Sequence, residues 1–206
     1  MAPSPSADGA LAADDASLLL DIADAAIVEG LVGGPPSAPP LALLPAALRQ
    51  HVGVFVTLTV DGDLNGCIGT IEGEEPLGHG TARHAWSAAF ADPRLPALAR
   101  ADYQRLTTEV SVLSPLAPLA AGSRQRVLEQ LRPGTDGLVI ALGARRGVFL
   151  PAVWDQLRDP EAFLDHLQVK AGLPPGWWHG AIRAWRFSAT KFARRSGEQP
   201  NSSQAA

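Results

Sequence analysis

The chemistry available to this 206-residue chain centres on its one cysteine. Cys67 stands in Leu64-Asn65-Gly66-Cys67-Ile68-Gly69-Thr70, between two glycines that leave the thiol and its backbone open to approach. A thiolate attacks only when a nearby base or cation favours its ionised form, and no such residue sits beside Cys67 in sequence. Two readings follow. In one, Cys67 is a nucleophile with Glu109 as its orienting or basic group. In the other, it packs in a core or lines a ligand cleft, because a free cysteine behaves as a small hydrophobe. Glu109 and Ser111 alternate along Glu109-Val110-Ser111-Val112-Leu113 and so share a strand face, as a base or hydrogen-bonding pair in that cleft or as solvated side chains. In Asp92-Pro93-Arg94 the acid can bond the following backbone and the arginine can clamp a carboxylate, so both residues read as mainly structural. The candidate catalytic residues are therefore Cys67 and Glu109, and the candidate ligand-binding residues are Asn65, Gly66, Gly69, Arg94 and Ser111.

Other chemistries find less support. A single cysteine excludes an intramolecular disulfide and any cysteine-pair zinc site. His51, His79, His84, His166 and His179 are scattered without a recognised ligand spacing, so no metal is expected. The glycine-rich stretches match neither a phosphate loop nor a dinucleotide fingerprint, and no cofactor is implied. With a net charge of −4 and mixed acidic and basic residues, the chain offers no basic face for nucleic acid. The start lacks the basic and apolar regions of a secretory signal, and no apolar run is long enough to span a bilayer. These features predict a cytoplasmic protein with no membrane partner.

Regular elements must hold these residues in place. Leu18, Leu19, Ile22, Ala26, Ile27 and Leu31 recur at helical spacing over residues 16–32, and Gly33-Gly34-Pro35-Pro36 stops that helix. Residues 53–71 read as a hairpin turning at Asp61-Gly62-Asp63. A two-residue turn would place Cys67 on the face of Val56 and Leu58, burying the thiol among aliphatics, whereas a three-residue loop would turn it to the face of Phe55 and Thr57. A short helix is expected over residues 81–90 with Thr81 as N-cap, then a strand over 107–113 and a helix over 123–131. A second hairpin is expected with Gly143-Ala144-Arg145-Arg146 at its tip, followed by a helix over 160–171 and a single strand-like run over 181–192. Trp177, Trp178 and Trp185 cluster near the C-terminus, as core or as cover for a contact surface. Strands and helices without regular βαβ alternation predict an α+β fold, a mostly antiparallel sheet with flanking helices. One domain is expected over residues 15–193, between disordered tails at 1–14 and 194–206.

Taken in order, Leu64-Asn65-Gly66-Cys67-Ile68-Gly69-Thr70, Asp92-Pro93-Arg94-Leu95-Pro96, Glu109-Val110-Ser111-Val112-Leu113, Leu150-Pro151-Ala152-Val153 and Lys170-Ala171-Gly172-Leu173 resemble the AMMECR family, whose prokaryotic members are called AmmeMemoRadiSam system protein A. The resemblance spans residues 15–193. It implies a larger and a smaller lobe, a cleft near the Gly-Cys-Ile-Gly stretch, and association with a Memo-like protein and a radical-SAM protein. It implies no established reaction. The family signature usually carries arginine where this chain has Asn65, so if that arginine binds an anion in relatives, this chain must use another cation or a different ligand. The expected function is an accessory module that binds a small molecule or partner, the alternative being a cysteine-dependent enzyme using Cys67.

Overall fold

The computed structural model describes residues 11–196, and the tail disorder expected at residues 1–10 and 197–206 lies outside them. The fold is α+β, with two four-stranded sheets in two compact units. One unit comprises the described residues up to Leu113 together with those from Thr190, and the other is Ser114–Ala189.

The first unit opens with α1 (Ala13–Leu31), which takes in Ala13 and Asp14 from the segment assigned to the tail. Leu19, Ile22, Ala23, Ala26 and Ile27 form its buried stripe, and Asp14 and Asp15 lie in its first turn, where acidic residues suit the helix dipole. Gly33 ends the segment at φ +82°, a conformation that glycine adopts without strain. The strands β1 (Val54–Val60) and β2 (Asp63–Thr70) form the expected hairpin, followed by α2 (Leu77–Phe90) and β3 (Leu106–Leu113).

Helix α2 begins a turn earlier than its sequence indicates, with Pro76 at the N-cap and Thr81 buried inside the helix. Gly78 and Gly80 disguise the first turn because both are poor helix formers. Their small size instead admits neighbours: a Cβ on Gly78 would lie 2.9 Å from Leu44 Cδ1, and one on Gly80 would lie 3.2 Å from Val54 Cγ1. His79 therefore lies in the helix rather than in a loop, with Nε2 2.9 Å from the Pro39 carbonyl.

His84, also on α2, is only 3% exposed. Burial, reinforced by the adjacent Arg83 guanidinium and opposed by Glu75, lowers its pKa from 6.5 to about 4. The folded state thus holds a neutral imidazole, while the unfolded chain takes up a proton below about pH 6.5. Stability from this group is complete above that pH and is lost as pH falls toward 4. Between pH 7 and pH 5 it should cost about 2 kcal/mol. Urea unfolding at the two pH values, compared with His84→Leu, should show this part of the slope vanish in the variant.

The second unit contains β4 (Ala117–Leu119), α3 (Arg124–Gln130), β5 (Gly137–Leu142), β6 (Arg145–Phe149), α4 (Pro160–Lys170) and β7 (Arg183–Phe187). Its sheet has the order β4-β7-β5-β6. Ser123 and Asp159 cap α3 and α4 through bonds from Arg126 and Ala162 amides. Arg145 and Arg146 belong to β6 rather than to the hairpin tip, since Leu142 pairs with Arg145 and leaves only Gly143-Ala144 as the turn. The strand-like run near the C-terminus is two strands. After β7 the chain breaks at Ser188 and continues as β8 (Ala189–Arg195), which joins the first sheet in the order β2-β1-β3-β8. Arg194 and Arg195 thus lie in a strand rather than a tail. Of the C-terminal tryptophans, Trp178 packs on the second core and donates to the Ala121 carbonyl at 2.9 Å, while Trp177 is 41% exposed. Among the described residues no helix is long and apolar enough to cross a membrane.

Candidate functional site

The residues singled out in the sequence meet on the first sheet. Val54, Val56 and Leu58 point from β1 into the core formed with α1 and α2, leaving Phe55, Thr57 and Thr59 on the face turned away from those helices. The turn between β1 and β2 is the two-residue kind: Val60 pairs with Asp63, and Asp61 and Gly62 lie at φ 52° and 93°.

That turn alone would send Cys67 to the buried face, but the register slips between Leu58 and Thr59. Thr59 faces Leu64 while Leu58 faces Gly66, so Asn65 is the extra residue of a β-bulge. One inserted residue reverses every side chain beyond it. Cys67 therefore pairs with Thr57 on the outer face, correcting the expected placement beside Val56 and Leu58. The bulge has the effect that a three-residue loop would have had.

The same reversal assigns the two glycines to packing. Gly66 is buried on the helix side, where a Cβ would overlap the Ala88 carbonyl oxygen and lie 2.7 Å from its carbon. Gly69 pairs with Phe55, and a Cβ there would lie 2.5 Å from Phe55 Cα. Both absences let neighbouring backbone approach closely.

Across the outer face, register builds a polar row. Cys67 on β2, Thr57 on β1 and Glu109 on β3 lie opposite one another, and Lys191 of β8 completes the row with its ammonium 3.0 Å from Glu109 Oε1. The Thr57 hydroxyl donates to Cys67 Sγ at 3.3 Å. In the adjacent row, Phe55 pairs with both Gly69 and Ser111, and Ser111 Oγ lies 3.5 Å from Glu109 Oε1, at the outer limit for a hydrogen bond. Cys67 and Glu109 share the face but are separated by a whole strand, a span of roughly 10 Å. A general base works within hydrogen-bond reach or through one water, so this arrangement does not form a cysteine–carboxylate dyad.

Asp92 and Arg94 secure the outer edge of β2. The Cys67 amide donates to Asp92 Oδ2 at 3.0 Å, and Arg94 Nη2 donates to the Cys67 carbonyl at 2.8 Å. Arg94 also holds Asp92 through Nε at 2.9 Å and Nη2 at 2.7 Å, while its own amide donates to Oδ1 at 3.1 Å. These bonds satisfy the amide and carbonyl that Cys67 turns away from β1, groups that an edge strand otherwise leaves unpaired. The Arg94 hydrogen bonds, followed by that from the Cys67 amide, hold the Asp92 carboxyl well below the usual carboxylate range. Asp92 is buried, whereas the Arg94 side chain is 61% exposed and presents its remaining surface outward.

The family model AMMECR1 matches residues 20–192. The chain belongs to the AMMECR1 family. A protein of Methanothermobacter thermautotrophicus is 40% identical over 184 residues, covering 88% of this chain and 95% of the relative. One of Thermofilum pendens is 37% identical over 196 residues, covering 89% and 92% respectively. The crystal structure of an uncharacterised protein from Pyrococcus horikoshii matches with a TM-score of 0.79 at 32% identity, over 91% of this chain and 95% of that one. In this AMMECR1 chain, Asn65 is the bulged residue and its Oδ1 is buried without a hydrogen-bond partner among the described residues. The bulge at Asn65 is thus what sets the orientation of Cys67. Sequence reasoning missed Thr57 and Lys191. Alternation placed Thr57 on the correct face, but Lys191 lay in a run read without its partner strand.

Proposed function

We propose that this AMMECR1 chain is an accessory module that binds a small ligand or partner in the cytoplasm, acting with Memo-like and radical-SAM proteins. Its binding surface is the outer face of the first sheet, with Cys67, Thr57, Glu109, Ser111 and Lys191 as its floor and Arg94 at its edge. The observation carrying this reading is the company Cys67 keeps. Its sulfur accepts a hydrogen bond from the Thr57 hydroxyl and has the Arg94 guanidinium near it, but no base stands within reach, since Glu109, the carboxylate in its row, is a strand away and paired with Lys191. Lys191 and Arg94, paired with Glu109 and Asp92, are the cations that an anionic group would meet at this face.

The outward turn of the thiol favours a second reading, a cysteine-dependent enzyme, because a nucleophile must be reachable. Capture of the Memo-like protein on immobilised chain separates the two. The binding reading expects Cys67→Ser to retain capture within about twofold and Lys191→Glu to weaken it about tenfold, the loss of a charge-assisted contact. No capture by the unaltered chain, or loss of function with Cys67→Ser alone, would count against it.

A further inference from the structure

A second site lies wholly within the Ser114–Ala189 unit. A pocket of about 300 Å³ opens along β4 and β7, lined by Pro118, Leu119, Ile182, Arg183, Ala184 and Trp185. Arg183, Trp185 and Pro118 share one face of the sheet, with Pro118 pairing across the strands with Trp185, while Leu119, Ile182 and Ala184 alternate toward the second core. The Arg183 guanidinium stands over the Trp185 ring, 5.3 Å from its centroid. Stacking of this kind fixes the plane of the guanidinium while leaving its N–H edge free to receive a carboxylate. Among the described residues no carboxylate pairs with Arg183.

We propose that this pocket binds a small carboxylic acid with a planar apolar body, its carboxylate on Arg183 and its body against Trp185 and Pro118. The volume is at the lower end of ligand cavities and suits about ten to fifteen non-hydrogen atoms. Added peptide strands are disfavoured by the edge itself. β4 is three residues long, its central Pro118 has no amide hydrogen, and the Gln130 side chain already bonds the Ala120 amide at 3.1 Å and carbonyl at 3.2 Å. An amine would meet Arg183 as a like charge. The proposal is independent of the Cys67 face.

Two lining glycines provide the test. A Cβ on Gly122 or Gly180 would meet nothing within 4 Å, and neither residue has a positive φ, so larger side chains can fill the opening without strain. In the full chain, 1-naphthoate followed by NMR should bind saturably and shift the Trp185 indole N–H resonance. 1-Naphthamide should bind at least about tenfold more weakly, and Arg183→Gln should weaken naphthoate by a similar factor, reflecting the charge-assisted contact. Gly180→Phe and Gly122→Leu, each with an unchanged amide spectrum elsewhere, should abolish binding, while Cys67→Ser should leave it unaltered. Absence of saturable naphthoate binding, equal affinity for acid and amide, or full binding in both filled variants would overturn the proposal.

Discussion

Gly66→Ala should destabilise the first unit by about 4 kcal/mol, at the severe end for a single added methyl group. The added Cβ would overlap the Ala88 carbonyl oxygen, with the carbonyl carbon 2.7 Å away and Ala88 Cα 3.2 Å away. All three are backbone atoms of a helix, so no rotamer change can relieve the collision. Either α2 must lift from the sheet, exposing the apolar contacts of Ala85, Ala88 and Ala89, or the bulge at Asn65 must rearrange. Both responses reach Cys67, the next residue along. Equilibrium urea unfolding monitored by circular dichroism should report the loss, and Gly62→Ala is an informative control. Gly62 has open space around its absent side chain and only its φ of 93° to lose, so its cost should be about 1 kcal/mol.

Asp136→Ala should cost about as much in the second unit, roughly 3 to 5 kcal/mol, the range for breaking a buried ion pair. Asp136 is fully buried before β5. Its carboxylate accepts from the Arg132 amide at 2.9 Å, from Arg132 Nε at 2.9 Å and from Nη2 at 2.6 Å, with Arg186 Nη1 3.8 Å away. Its carbonyl accepts from the indole of the buried Trp154 at 2.7 Å. One residue thus joins the end of α3, the start of β5 and strand β7. Asp136→Asn keeps an acceptor and the volume and should lose about half as much. Four of the five tryptophans, Trp154, Trp177, Trp178 and Trp185, lie in this unit, so fluorescence should register its unfolding separately from the helix signal.

What could be read from the chain followed the physics of periodicity. The stripe of α1, the Asp159-Pro160 start of α4 and the alternation of β1 and β3 are signals repeated over many residues, and the structure has those elements within a few positions. Single-residue effects were harder to see. The bulge depends on one ordinary residue, Asn65, inserted in an otherwise regular strand, and its only trace was the adjoining glycine. Gly78 and Gly80 hid the first turn of α2 because their tertiary packing outweighs their helix propensity. No glycine or proline marks the passage from β7 to β8, where Ser114 and Ser188 exchange hydrogen bonds at 2.9 and 3.0 Å. At the candidate site, alternation correctly put Glu109 and Ser111 on one face, and the Asp92-Pro93-Arg94 stretch offered an acid for the following backbone and an arginine for a carboxylate. Neither could reveal that the pair also holds the Cys67 backbone, because that contact joins residues 25 positions apart.

The orientation of Cys67 is the point on which the functional reading rests. Alkylation of the native chain by iodoacetamide, followed by mass spectrometry across a series of sub-denaturing urea concentrations, tests it directly. A thiol on the outer face should be modified to completion in folded protein, at a rate that urea scarcely changes, since no opening of the fold is required. Modification that occurs only as the protein unfolds, with a rate climbing in step with the unfolded fraction, would place Cys67 beneath α2 and contradict the account.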